Sequence, residues 1–426
     1  MRSNSKDGLR LSTIVKYALG SVVALWIGYL SMRIIWSTSH HPMQSAGPDR
    51  QQHIRVGGQL NPSVVDVVRK PAQNEVHVIF STDCNPFQDW QSLLLFHSAT
   101  QVGQQGPITR IASGCDEVKK KELTELYQKL YPTYHVHFTP DFAIDPKTGK
   151  KYHFYNKPYG VLHWLDNAQP AIAPGTVVAL IDPDFIFLRP LTAKMAGQAN
   201  TIVSGSVSTS EVFDRIKAGH PAAQHYGLGG PWVDDTHKKF NRTYICGEKS
   251  PCRRVPSPRE GDKYYAVGPP YILERNDMHA LAKSWVDFVP RVYEGYPYLL
   301  AEMYAYSMAA AHEQLPHLRV DHFMVSNTLA GGEGWQWVDA LSDVCTPPVN
   351  GVYFPDKPLP TFLHYCQFFR AAEIGFHKRR VYKDIFSCER PMLMDLPRNL
   401  SLVDYKNRDG EVTSFIYLKL SDMCIM

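Results

Sequence analysis

Apolar and polar positions along this chain switch repeatedly between a two-residue and a helical period, marking out alternating strands and helices. Residues 75–82 form a strand pattern that ends in a small polar pair, Ser81 and Thr82. Residues 89–102 carry a stripe through Trp90, Leu94 and His97 at helical spacing. A second strand is expected over 107–113, a charged amphipathic helix over 117–130 and a third strand over 134–138. Residues 156–167 predict a helix with Pro158 in its first turn, where a missing N–H leaves no helical bond unmade. Further on, 266–273 reads as a short strand, 277–289 and 298–312 as helices, and 362–364 as a strand. Such alternation argues for an α/β fold with a mostly parallel central sheet.

The stretch from Thr176 to Leu191 carries the clearest chemistry. Thr176-Val-Val-Ala-Leu-Ile runs straight into Asp182-Pro-Asp184, and a second apolar run follows. The first run is near-continuously hydrophobic, as strands covered on both faces are. A buried strand of an open α/β sheet delivers its carboxyl end to the crevice where ligands bind. Alternate strand residues share a face, so Asp182 and Asp184 would face one mouth. Hard oxygen ligands suit Mg²⁺ or Mn²⁺, ions that commonly bridge protein carboxylates to a substrate diphosphate. A solvated turn is the plainer alternative for so short a pattern. No Gly-x-Gly-x-x-Gly follows the first strand and no Walker-type loop occurs, which argues against ordinary dinucleotide and ATP sites. A two-metal phosphatase or nuclease would need a second carboxylate cluster, and none is evident.

The N-terminus changes the picture of where this chemistry takes place. Residues 11–36 are apolar enough for a signal-anchor span, with Lys16 and Arg33 snorkelling to the interfaces. Arg2, Lys6, Arg10 and Lys16 keep residues 1–10 cytosolic by the positive-inside rule. A cleaved signal peptide is the competing reading, disfavoured by the long apolar core and the bulky flank Ser31-Met-Arg-Ile-Ile-Trp36. Residues 37–72, polar and without period, read as a stem, 73–401 as the globular part and 402–426 as a C-terminal tail. All eight cysteines follow the span, as an oxidising lumen allows, and Cys246 and Cys252 are close enough to staple a loop. Asn241-Arg-Thr243 and Asn399-Leu-Ser401 are sequons that a lumenal location would make usable. The segment 231–263, rich in Pro, Gly and charge, is expected to be a surface insertion loop. A formal net charge of +4, dispersed over 426 residues, gives no footprint for nucleic acid.

A series of short motifs then falls in a familiar order. Phe80-Ser-Thr-Asp-Cys84, Asp89-Trp-Gln91, Pro107-Ile-Thr-Arg110, Asn156-Lys-Pro158, Asp182-Pro-Asp184, Ala301-Glu-Met-Tyr-Ala-Tyr306 and Leu363-His-Tyr365 resemble the plant and algal peptide O-glycosyltransferases. The resemblance is to the hydroxyproline O-arabinosyltransferase and peptidyl serine α-galactosyltransferase type, and it covers residues 75 to 401. It implies a GT-A-like fold, a UDP-sugar donor, a divalent metal such as Mn²⁺ and a type II membrane enzyme of the Golgi or ER. The donor would be UDP-arabinofuranose or UDP-galactose, and the acceptor a peptide rich in hydroxyproline or serine. Hydroxyproline arabinosylation is the first expectation and serine galactosylation the second. A membrane-anchored glycan- or peptide-binding protein that lost catalysis is the rival of another class.

The resemblance also distributes roles. It implies His364 as a third metal ligand beside Asp182 and Asp184, the alternative being a histidine bonded to backbone. Thr82 and Asp83 end the first strand, where a base and ribose would sit in such a fold. Arg110, Asn156 and Lys157 are candidate donor contacts, Lys157 because a helix N-terminus favours anions; surface pairing or helix capping is the alternative. Lys378, with Arg379 and Arg380, could close over a diphosphate, or form a solvated basic face. Glu302 stands on an otherwise apolar helix, where a carboxylate must be partnered or employed. It is assigned to the acceptor side, as general base if the reaction inverts, with a structural pair to Arg or Lys as the alternative. His77, His135, His137 and His163 alternate with apolar residues and read as core or surface histidines.

Overall fold

The first strand, β1 (Val76–Asp83), is buried along seven of its eight residues, so both of its faces need cover. A computed structural model describes residues 75–379, apart from 132–133, 146–147, 196–203, 205–206, 235–239, 322, 327–359, 367–368 and 372–373. The expected span at 11–36, the stem, Arg380, the sequon at Asn399 and the C-terminal tail lie outside the described residues. Among the described residues no helix is long and apolar enough to cross a membrane.

Chain order alternates as the periodicity predicts. β1 leads to α1 (Pro86–Gln101), β2 (Ile108–Ser113), α2 (Glu117–Leu130), β3 (Tyr134–Thr139), α3 (Asn156–Asn167) and β4 (Val177–Ile181). Asn85 caps α1 by accepting the Phe87 N–H at 3.1 Å, with Pro86 following at the first helical position. The helix therefore starts three residues before the expected start at 89. Of the expected stripe, Trp90 is buried, Leu94 half-buried and His97 exposed, and Leu95, Phe96 and Ala99 pack in the core beside the sheet.

β5 (Phe185–Phe187) and β6 (Ala222–His225) come next, then two short helices, α4 (Arg242–Cys246) and α5 (Pro258–Tyr265). After them come β7 (Val267–Glu274), α6 (Arg275–Gly295), α7 (Ala301–His312), β8 (Leu318–Val320) and β9 (Met324–Val325). The described chain closes with β10 (Phe362–His364), β11 (Phe369–Ala371) and β12 (Ile374–Phe376). The main sheet has the order β3-β2-β1-β4-β7-β6-β8. β7 is antiparallel to both of its neighbours, and the other pairings are parallel. The expected parallel sheet thus has one reversed strand near its middle.

Alternation within the strands feeds two apolar layers. Ile79, Val178 and Leu180 point to one layer, with Trp164, Trp285 and Tyr306 of α3, α6 and α7. Val78, Phe80, Ala179 and Ile181 point to the other, with Leu95, Phe96, Leu123 and Tyr127 of α1 and α2. The result is a three-layer α/β/α sandwich. Gly160 lets α3 approach the sheet closely, since a Cβ there would meet Ile111 Cγ2 at 3.0 Å.

The expected loop over 231–263 is corrected for its described part. Trp232 is buried and donates its indole N–H to Ser307 Oγ at 2.8 Å, and Cys252, disulfide-bonded to Cys246, is fully buried. Glycine here serves close packing of backbone on backbone: a Cβ on Gly229 would meet the Gly261 carbonyl at 2.3 Å. Composition that marks loops elsewhere builds a packed subdomain beside α7.

Two histidines are stored neutral in this core. Burial pushes His77 down to about 3, helped by neighbouring His135, and pushes His317 down to about 4. Unfolded histidine titrates near 6.5, so below that pH the unfolded chain binds more protons than the native one, and stability falls as pH drops. Each group should contribute about 2 kcal/mol less at pH 5 than at pH 7. Urea unfolding at the two pH values checks this, and a His317→Gln variant should lose that part of the pH dependence.

Candidate active site

The carboxyl end of β4 carries Asp182 and Asp184, and the next three residues explain how a third group reaches them. β5 pairs antiparallel with β10, placing Phe185 opposite His364, Ile186 opposite Leu363 and Phe187 opposite Phe362. The Tyr365 N–H donates to the Asp184 carbonyl at 3.2 Å, and the Leu188 N–H to the Thr361 carbonyl at 2.9 Å. Phe185, Phe187 and Phe362 bury their rings against one another beneath this ribbon. His364 Nε2 thereby lies 3.3 Å from Asp184 Oδ1 and 4.0 Å from Asp182 Oδ2. One ligand atom from each of the three lies within 4.8 Å of the others, the one such cluster among the described residues. Two carboxylates and an imidazole are a fitting donor set for Mn²⁺ or Mg²⁺.

Asp184 is 3 % exposed, and its charge is held in place from two sides. Burial alone would raise its pKa, but His364 and the Lys378 ammonium, which bonds Oδ2, hold it well below the usual carboxylate range. Burial would lower His364, but Asp184 overrides it and lifts the imidazole to about 10. Lys378 is thus brought to Asp184. Arg379 is exposed and lies over the Phe87 ring.

Lys157 links the metal candidates to Glu302. Its Nζ lies 2.9 Å from Asp182 Oδ1 and 2.8 Å from Glu302 Oε1. The position follows from α3, whose first turn lies over the carboxyl ends of the central strands. The two carboxylates outweigh burial and keep Lys157 protonated far above neutrality. Glu302 has a raised pKa, burial being the main cause, with Lys157 offsetting it in part. Among the described residues its Oε2 has no hydrogen-bond partner. The surroundings of Glu302 are rigid: Trp285 donates to its carbonyl at 2.7 Å, and its N–H donates to the Tyr152 hydroxyl at 3.2 Å. The structural pair named as the alternative is therefore present, and it ties Glu302 directly to the site.

The expected donor contacts at the ends of β1 and β2 divide. Arg110 is fully buried and committed inward: Nε donates to Thr82 Oγ1 at 2.8 Å, Nη1 to Asp89 Oδ1 at 2.9 Å and Nη2 to the Asp83 carbonyl at 3.2 Å. Asp89 is also paired with Lys119 at 2.7 Å. Arg110 and Thr82 are thus braces behind the site rather than surfaces of it. Asn156 is likewise occupied, accepting from the Phe142 N–H at 2.7 Å and donating to Asp141 Oδ1 at 3.2 Å. Asp83 is half-buried at the edge, beside the Cys84–Cys115 disulfide that ties the ends of β1 and β2 together. Tyr152, in the loop before α3, and Trp285, on α6, fix Glu302, and nothing in the sequence sets either apart from an ordinary core aromatic.

Residues 76–206 match the N-terminal domain of the hydroxyproline O-arabinosyltransferase family. Over those residues the chain is similar to that family. The family domain runs from β1 past β5 and so contains Lys157, Asp182 and Asp184, whereas Glu302, His364 and Lys378 come after it. Among curated proteins, the peptidyl serine alpha-galactosyltransferase of Arabidopsis thaliana is 29% identical over 269 residues, 60% of this chain and 28% of that one. The protein of that name from Chlamydomonas reinhardtii is 25% identical over 258 residues, 57% of this chain and 30% of that one. The chain spans less than a third of the length of either relative. Solved structures with a similar fold include the galactosyltransferase LgtC with donor and acceptor sugar analogues, at 11% identity and a TM-score of 0.34 over 68% of this chain and 87% of that one. Mouse xyloside xylosyltransferase 1 is similar at 12% identity and a TM-score of 0.35, over 68% of this chain and 97% of that one.

If Lys157 holds the two carboxylates together, its removal leaves them facing each other without compensation. Lys157→Met should lower unfolding free energy by about 3–5 kcal/mol, as breaking one side of a buried ion pair does. Adding Glu302→Gln to that variant should restore a large part of the loss, because the uncompensated charge is gone. Strict additivity of the two substitutions in urea unfolding would show that the pair does not hold the site.

Proposed function

We propose that this chain is a metal-dependent glycosyltransferase that moves a sugar from a UDP-sugar to a hydroxyl on a polypeptide. The observation that carries the reading is the convergence of Asp182, Asp184 and His364 at the carboxyl end of β4, with Lys378 on Asp184. A divalent cation, Mn²⁺ by preference, would be held by these three residues and would supply Lewis-acid stabilisation of the diphosphate leaving group. Lys378 stands where it can share its charge with the same diphosphate. Asp184 and His364 keep that end of the site rigid, and Lys157 holds Asp182 and Glu302 in register behind it. Glu302 belongs to the floor under the transferred sugar and the acceptor side, oriented by Lys157, Trp285 and Tyr152.

Two acceptor chemistries have support. The family domain favours hydroxyproline and arabinose from UDP-arabinofuranose; the curated relatives favour serine and galactose from UDP-galactose. We rank hydroxyproline first, because the match to the family domain encloses the carboxylate pair itself. The intact cluster speaks against a glycan- or peptide-binding protein without catalysis. We place the enzyme in the Golgi or ER membrane with type II topology on the strength of residues 11–36 and their flanking charges.

The test is a panel of UDP-sugars with hydroxyproline-bearing and serine-bearing peptides, followed by product mass. A pentose on hydroxyproline or a hexose on serine is the expected product, and it must require the metal. Asp184→Asn should reduce Mn²⁺-dependent turnover by about 10²-fold or more, the scale for losing a transition-state charge stabiliser. Full activity in that variant would refute the metal assignment.

A further inference from the structure

β6 and β8 run in the same direction as β4, because β6 and β4 both lie antiparallel to β7. Their carboxyl ends therefore open on the same sheet edge as Asp182. Two strand spacings separate β4 from β6 across β7, a lateral distance of ~10 Å. His225 is the last residue of β6 and Asp321 the first after β8. Their side chains meet, Nδ1 to Oδ1, at 3.0 Å, and Arg319 Nη1 lies 3.3 Å from His225 Nε2. Arginine can only donate, so Nε2 carries the lone pair and Nδ1 carries the proton that Asp321 accepts.

The surroundings of this pair are built to aim it. Gln224 is fully buried, and its amide donates to the Asp321 carbonyl at 3.0 Å and the His225 carbonyl at 3.3 Å, while its oxygen accepts the Met324 N–H at 2.9 Å. The β6–β7 register shifts between Ala223 and Gln224, an irregularity that re-aims the side chain following it. From Asp321 the chain enters β9, and Val325 pairs with Leu363, the neighbour of His364. The His225 cluster and the metal triad are thus connected through the pairing of β9 with β10. The His225 and Asp321 side chains remain 31% and 16% exposed, open to an incoming chain.

We infer that His225, oriented by Asp321, binds the acceptor: the hydroxyl-bearing residue of the polypeptide donates to His225 Nε2 on the side of the crevice away from the nucleotide. This rests on the glycosyltransferase reading. The Arg319 contact is at the long end for a hydrogen bond, so a hydroxyl can displace it without loss of a strong partner. The triad and Lys378 serve the phosphates, and the His225 cluster supplies polar recognition on the opposite flank.

The test uses the full-length chain and its His225→Ala and Asp321→Asn variants, with serine-bearing and hydroxyproline-bearing peptides. Peptide-dependent transfer should show a peptide KM raised by about tenfold or more, the range for losing a hydrogen bond to a charge-assisted partner. Hydrolysis of the UDP-sugar without peptide should stay within about twofold of the parent, as expected for a residue that contributes only to acceptor binding. Direct titration with fluorescent peptide should show the same loss of affinity, independent of turnover. An unchanged peptide KM and affinity in both variants overturns the inference, as does donor hydrolysis falling in step with transfer. Should His225→Ala fail to fold, the nearly isosteric Asp321→Asn carries the test alone. A parent chain that hydrolyses donor but binds neither peptide overturns this inference only, whereas one that neither binds nor hydrolyses any UDP-sugar overturns the transferase reading.

Discussion

The antiparallel pairing of β5 with β10 is the contact on which the site depends. Three residues of each strand, together with the buried rings of Phe185, Phe187 and Phe362, fold a late part of the chain over the end of β4. Without that ribbon, Asp184 would face solvent as one half of a short acidic turn. With it, the carboxylate is buried and held between the His364 ring and the Lys378 ammonium. The energy that keeps two like charges and their partners at one edge comes largely from apolar burial beneath them.

Local pattern revealed most of the sheet and half of the site. The run from Val177 to Ile181 is too apolar and too short to be anything but a buried strand, and the two aspartates after it announce their own chemistry. Asn156 to Asn167 was equally plain from period and from Pro158. Nothing local distinguishes His364 from any other histidine at a strand end, because its meaning lies in a register with Phe185 that only folding creates. The ion pair of Lys157 with Glu302 spans 145 residues and is invisible for the same reason. Arg110 misled in the opposite sense: an arginine inside a strand resembles a ligand-facing group until its neighbours Asp89 and Thr82 are seen. In the stretch before β7, glycine and proline look like loop chemistry, although Gly229 and Gly261 are there because two backbones touch.

Lys157 and Lys378 perform similar electrostatic work at different depths. Each neutralises one aspartate of the pair, so neither carboxylate meets the other's charge unscreened. Lys378 comes from the last described segment and Lys157 from the middle of the fold. The inner lysine is carried by a helix, and the outer one lies in the turn after a short two-stranded ribbon. Rigid support behind and lighter support in front is the arrangement a site needs if it must admit a charged ligand and later release it.

The boundary of the family domain at residue 206 cuts this site in two. On one side lie the strand, the carboxylates and the inner lysine, and on the other the imidazole, the outer lysine, Glu302 and Asp321 with its partner His225. The two pieces meet where β10 pairs with β5, and the imidazole reaches the carboxylates only through those three paired residues.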